Sequence, residues 1–263
     1  MKAKVINSTL FRDQVVKILA FSDLHGNIEV LKLLKKRIEG ESFDYMLIAG
    51  DLTNAYSLEN EEILQHMEEI FSVLESFEIP YYFVWGLPFR ELKLELLFME
   101  GLRRKDSKEG VIGKEIVRLI SSLKFGRLLR MDKPIKLGEY WLTSSPKIVS
   151  ENTILMIHTY RKLVPEALLH LEGHVHYGQR VFNYLNLGFL YKDDLHGSKP
   201  LIGCYWIIDL KGSHFDATLV DLGGNLKRLQ CPRHPDEGTF YIPYFWRKCP
   251  VCDDPDNALI KGL

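Results

Sequence analysis

Shortages narrow the possibilities for this sequence before any motif does. Positive and negative side chains nearly cancel, leaving a formal net charge of −1 over 263 residues. No overall field therefore draws the chain toward nucleic acid or an acidic membrane. Long apolar runs are missing too; the longest, such as residues 201–210, are far too short to span a bilayer. The opening stretch MKAKVINSTLFRDQVV contains no apolar core of the kind a secretory leader needs. A cytoplasmic protein without a membrane partner is expected. Four cysteines are too few for a disulfide framework in a chain of this length, and three of them crowd toward the C terminus at paired-ligand spacing. Glutamine is scarce while Glu and Lys abound, a bias found among proteins of hot environments. No repeat or low-complexity tract is present.

With 46% apolar and 26% charged residues, the composition is that of a globular protein and far from that of a disordered one. The length suits one large α/β domain with a small appendage. Residues 17–21 (KILAF), 45–49 (YMLIA) and 81–85 (YYFVW) are short apolar runs of strand length. Between them Leu31, Leu34 and Ile38 recur at helical spacing, and Ser57 is placed to cap a helix running to about Phe77. Strands alternating with helices imply βαβ units and a largely parallel sheet, whose ligands bind beyond the carboxyl ends of the strands. Later runs at 154–157, 168–171, 183–189, 205–210 and 215–220 suggest a second set of strands, more antiparallel in style. A boundary near Gly223-Gly224 divides the chain into 1–222 and a tail, 223–263, rich in Pro, Cys and aromatics.

Charge is unevenly spread. Residues 59–75 carry Glu59, Glu61, Glu62, Glu68, Glu69 and Glu75 without a Lys or Arg, whereas 103–136 hold eleven Lys and Arg against four acids. The basic stretch suits a solvated helix face, or a contact with a phosphate polymer or a protein complex.

Chemistry-bearing residues follow the apolar runs. The first strand leads into Asp23-Leu24-His25, the second into Gly50-Asp51, residues 154–157 into His158, and 168–171 into Gly173-His174-Val175-His176. The ordered set D-x-H, G-D, H and G-H-x-H, each at a strand end, resembles the calcineurin-like metallophosphoesterases over roughly residues 17–221. Asn186-Leu187-Gly188-Phe189 is similar to that superfamily's N-P-G-S strand. The resemblance implies a four-layer αββα sandwich and two divalent ions. It assigns Asp23, His25 and His176 to one ion, His158 and His174 to the other, and Asp51 as the bridge. Mixed His and carboxylate ligands suit manganese, iron, zinc or nickel. Two such cations about 3.5–4 Å apart clamp a phosphate and acidify a water toward a pKa of about 7. A phosphoester substrate, of phosphodiester or nucleotide-like type, is the expectation.

The sequence departs from that superfamily after the third strand. Where the resemblance calls for G-N-H-D or G-N-H-E, the chain reads Gly86-Leu87-Pro88-Phe89-Arg90. Leu87 cannot ligate and Pro88 cannot carry a proton, so the second ion should be held more weakly and catalysis impaired or altered. Arg90 and Arg161 are candidates for steadying a phosphate. The same departure opens an alternative, a catalytically inactive binding module within a protein or nucleic-acid complex.

In the tail, Cys231-x-x-His234 and Cys249-x-x-Cys252 have the spacing of a zinc ribbon. Four thiolate or imidazole ligands close a tetrahedral site, so this zinc would be structural. Cys204, inside an apolar run, reads as a buried small hydrophobe. His66, His170, His196 and His214 lack motif company and read as structural or surface residues.

Overall fold

A computed structural model describes residues 15–86, 92–103, 107–193 and 199–260. Leu87, Pro88, Arg90 and His196 lie outside the described residues. Two sheets face each other, and a short antiparallel pair, β11 (Tyr191–Lys192) and β12 (Leu201–Ile202), belongs to neither. In the first, β1 (Val16–Phe21), β2 (Tyr45–Ile48), β3 (Tyr81–Phe83) and β4 (Gly126–Leu128) run parallel. On the far side of β1 the hairpin β13 (Cys204–Lys211) and β14 (His214–Asp221) adds two antiparallel strands. The parallel strands are apolar throughout because both faces are covered. Leu19, Phe21, Met46 and Ile48 face the helices, while Ile18, Ala20, Leu47 and Ala49 face the second sheet.

The helices α1 (Ile28–Arg37), α2 (Asn60–Glu75), α3 (Leu92–Leu102) and α4 (Lys108–Ser122) all belong to the first sheet's outer side, where residues of each join one apolar cluster. Asn27 starts α1 by accepting the Val30 N–H through its side chain at 3.0 Å. Ser57 does not cap α2 as expected. It ends a short 3-10 turn, its hydroxyl donating to the Asn54 carbonyl, and α2 begins three residues later, where Glu62 accepts the Glu59 N–H at 2.9 Å. The local turn competes for the serine hydroxyl and wins. Glu75, at the other end of α2, accepts the backbone N–H groups of Lys124, Phe125 and Gly126, which lie in the basic stretch.

The second sheet has the order β15 (Leu226–Leu229), β16 (Thr239–Pro243), β9 (Gly178–Val181), β10 (Tyr184–Leu187), β8 (Leu169–Glu172), β7 (Thr153–Met156), β6 (Tyr140–Thr143) and β5 (Ile135–Leu137). Its centre is parallel, β6 to β7 to β8 to β10, and only the flanking pairs are antiparallel. Of the runs expected to be antiparallel, 205–210 and 215–220 are so, but as the hairpin of the first sheet, whereas 154–157, 168–171 and 183–189 supply the parallel centre of the second. Irregular segments, rather than helices, make the parallel crossovers here, so the βαβ signature is missing from the sequence. Those segments also form the thin fourth layer. Leu155 faces outward onto Val164 and Ala167, and Tyr184 packs with Val181 and Leu259. Beyond Gly223-Gly224 the chain continues the same sheet, since β16 pairs with β9 and the short α5 (Pro250–Asp253) lays Val251 against Phe240. No described helix is long and apolar enough to cross a membrane.

Candidate metal centre

The carboxyl ends of β1, β2, β7 and β8 meet along the seam between the sheets, and their loops are bound to one another through the backbone. The Asp23 N–H donates to the Gly50 carbonyl at 3.0 Å, both Leu24 and His25 donate to the Asp51 carbonyl, and Gly173 donates to that of His158. Five of the six candidate ligands, Asp23, His25, Asp51, His174 and His176, have positive φ. A non-glycine residue held there costs on the order of 1–3 kcal/mol, a strain that persists only where the surroundings over-determine it. Glycine is required beside them: a Cβ on Gly173 would stand 1.9 Å from Ser22 Oγ, and one on Gly86 would stand 1.7 Å from Asp51 Oδ1.

The side-chain atoms converge. His25 Nε2 lies 3.1 Å from His176 Nε2, and His176 Nε2 lies 3.1 Å from Asp23 Oδ1. Asp23, His25 and His176 form one compact set whose ligand atoms lie within 4.8 Å of one another, and Asp23, Asp51 and His158 form a second. Asp23 is common to both. His174 stands outside the two sets, its ring centroid 5.4 Å from that of His158. Its backbone N–H donates to Asp23 Oδ2 at 3.0 Å, and Ser22 Oγ also donates to that oxygen.

The electrostatics of these groups fit a cation. His158 Nδ1 donates to the Ala49 carbonyl at 2.7 Å, which fixes the tautomer and aims Nε2 inward, 3.4 Å from Asp51 Oδ2. Asp51 Oδ1 and His158 Nε2 are buried and have no hydrogen-bond partner among the described residues. A bare imidazole lone pair facing a carboxylate is repulsive unless a positive charge lies between them. Burial presses the His158 pKa down, yet Asp51 and Asp23 outweigh it and bring it up to about 9. Burial likewise pushes Asp23 up, but the hydrogen bond and charge of His176, with His158 and His25, hold it far below the usual carboxylate range. The pocket is built to hold positive charge, and its mixed donors suit a borderline divalent ion.

Around this centre stand supporting residues, of which the sequence singles out Asn186 and Arg161 but not Glu172. The Asn186 side chain donates to the Gly173 carbonyl at 2.8 Å and accepts the Gly188 N–H at 3.0 Å, fastening the loop that carries His174 and His176. Glu172, fully buried, accepts the Arg161 backbone N–H at 3.1 Å and the Tyr184 hydroxyl at 3.3 Å. His170 Nε2 lies 3.0 Å from Glu172 but off the hydrogen-bond direction. Only an alternating strand pattern could have placed Glu172 inward, and a buried carboxylate breaks that pattern. Arg161 reaches Tyr177 through Nη1 at 3.4 Å, while its Nη2 is buried without a partner among the described residues.

At the tail, the Sγ atoms of Cys249, Cys252 and Cys231 lie 3.4, 3.5 and 3.6 Å from His234 Nδ1, and the Sγ atoms of Cys231 and Cys252 are 3.6 Å apart. A tetrahedron with metal–ligand lengths of about 2.0–2.3 Å has edges of roughly 3.3–3.8 Å, so these four atoms match its corners. Burial raises the Cys231 thiol, but hydrogen bonds from the Arg233 backbone and from Cys249, His234 and Cys252 bring it down to about 6; burial drives Cys249 up to about 12. Cys204 is fully buried, as expected, and His66 rests against Gly26.

A sequence profile of the calcineurin-like phosphoesterases matches residues 16–86. One solved structure is 12% identical and aligns over 80% of this chain and all of its own length, with a TM-score of 0.56. The chain has the calcineurin-like phosphoesterase fold. TT1561 of Thermus thermophilus, 15% identical, shares this fold over 80% of this chain and the whole of its own, with a TM-score of 0.51. No curated protein matches the chain in sequence. The profile covers the calcineurin-like D-x-H and G-D motifs and ends at Gly86, so Leu87, Pro88 and the histidines at 158, 174 and 176 lie beyond it.

Proposed function

We propose that the chain is a metal-dependent phosphoesterase whose centre is formed by Asp23, His25, Asp51, His158, His174 and His176, and that it acts on a phosphodiester or nucleotide-like ester. The observation that carries this reading is the meeting of two carboxylates and three imidazoles around buried, unpartnered Asp51 Oδ1 and His158 Nε2. Divalent ions bound there would supply Lewis acidity toward a phosphoryl oxygen and would acidify a water. The chain's own residues orient that chemistry. Ala49 fixes the His158 tautomer, Asn186 and Ser22 fix the loops, and Arg161 would have to turn its buried Nη2 outward to meet a phosphate. A structural zinc at Cys231, His234, Cys249 and Cys252 belongs to the same reading, with 223–263 as a ribbon-like tail.

Pro88 carries no proton to give, so a leaving group must depart as an anion unless another residue supplies one. Aryl esters should therefore be cleaved far better than alkyl esters. That same substitution favours a second reading, a binding module that has kept the fold. The deciding experiment loads the protein with manganese and measures hydrolysis of bis(4-nitrophenyl) phosphate beside a dialkyl phosphate, with Asp51→Asn as control. Aryl hydrolysis abolished by the substitution is the expected result. Metal binding with no hydrolysis favours the binding module, and brisk dialkyl hydrolysis rules out the leaving-group account.

A further inference from the structure

Beside the centre lies a cleft of about 370 Å³, open on one side and continuous with the site through Gly86 and His158. Its walls are apolar. Trp85, Phe98, Met99, Leu102, Leu129 and Met131 line it, with the Trp85 and Phe98 rings packed edge to face at 6.1 Å between centroids. Met99 and Met131 are 40% and 62% exposed, an unusual position for apolar side chains beside a polar centre. Three charged side chains, Glu95, Arg130 and Asp132, share the lining with them. Among the described lining residues Arg130 is paired with Asp132 at 3.2 Å, and Glu95 adds an anion. One polar group faces the cleft from deep in the wall: Ser144, only 4% exposed, whose hydroxyl has no partner among the described residues.

We propose that this cleft seats the organic half of the substrate and selects an uncharged, ring-sized apolar group joined to the phosphoryl group. The inference rests on the phosphoesterase reading and adds the substrate class. The cleft's volume lies in the range that holds small ligands, and its apolar walls with a few convergent polar atoms are the usual composition of such sites. Thioether and indole surfaces favour a flat ring, since sulfur and aromatic edges attract it. A second phosphate is disfavoured, because two carboxylates, Glu95 and Asp132, face a single arginine, Arg130, among the described lining residues. The Ser144 hydroxyl is the neutral donor available to a ring substituent or an ester oxygen. Among the described lining residues Arg130 is the single Lys or Arg, so a polyphosphate or a nucleic-acid strand finds no cationic track there.

Binding separates this inference from the catalytic one. Phenylphosphonate and methylphosphonate carry the same charged head, and calorimetric titration of each into manganese-loaded protein measures the contribution of the ring alone. The phenyl compound should bind about tenfold tighter, the return expected for burying one ring face. Replacing the exposed pair, Met99→Ser with Met131→Ser, should bring the ratio of the two affinities close to one. Equal affinities in the unaltered protein would overturn the cleft assignment while leaving the metal centre in place. An unchanged ratio in the double variant would place the ring elsewhere and overturn it as well. If neither phosphonate binds the metal-loaded protein, the phosphoesterase reading falls and this inference falls with it.

Discussion

Asp23 Oδ2 accepts the backbone N–H of His174 at 3.0 Å, tying together two strand ends 151 residues apart in sequence. The same carboxylate faces His176 through its other oxygen and belongs to both compact donor sets. Asp23→Asn keeps an acceptor for the His174 N–H but removes the charge. Metal analysis of the purified variant should show both main-site ions depleted, with the tail metal untouched. Asp51→Asn, measured in parallel, shows which carboxylate serves both ions: the bridging one loses two, the other loses one.

Gly86→Ala tests how closely the third strand's loop approaches the centre. The added methyl would stand 1.7 Å from Asp51 Oδ1 and 2.9 Å from the Asp51 backbone nitrogen, so the carboxylate or the loop must shift. Overpacking of this kind costs typically 1–3 kcal/mol. The variant should fold, with main-site metal affinity reduced about tenfold or more in a titration. Wild-type affinity would mean that the loop does not lie against Asp51.

Cys249→Ser with Cys252→Ser removes two corners of the tail tetrahedron. One equivalent of zinc should be lost while the main-site ions stay. Thermal melting should fall by on the order of 10 °C, because a structural zinc contributes many kcal/mol to folding the segment it closes. Unchanged metal content would refute the tetrahedral assignment.

Asn186→Ala leaves the Gly173 carbonyl and the Gly188 N–H without their side-chain partner in a buried position. An orphaned buried group costs about 1–3 kcal/mol. A melting midpoint lower by several degrees is expected, together with weaker metal binding, since the Gly173 turn carries His174 and His176. Asn186→Asp, which keeps the acceptor alone, should restore part of the loss.

The candidate ligands were legible because each follows an apolar run, and a parallel sheet brings such ends together whatever their separation in sequence. The helices α1 and α2 were legible for the same local reason, apolar residues at helical spacing. The start of α2 was misplaced because Ser57 is consumed by a 3-10 turn, a competition that composition does not reveal. The parallel centre of the second sheet was hidden by its connections, which lack helical periodicity. Glu172, Ser144 and the cleft were beyond reach for another reason. A buried polar side chain and a cavity are set by what packs around them, and no spacing rule encodes that.

The pairing of β16 with β9 bears on the order in which the molecule is completed during synthesis. Tyr177 follows His176 directly, and its ring is walled by Phe240 and Trp246, 6.0 and 6.5 Å away between centroids. On a ribosome, therefore, the turn that bears His174 and His176, though fastened early by Asn186, lacks the wall of Phe240 and Trp246 until more than sixty further residues have emerged. Through that interval β9, paired with β10 on one side, waits with its other edge open. The centre's final shape is a late event in the life of the nascent chain.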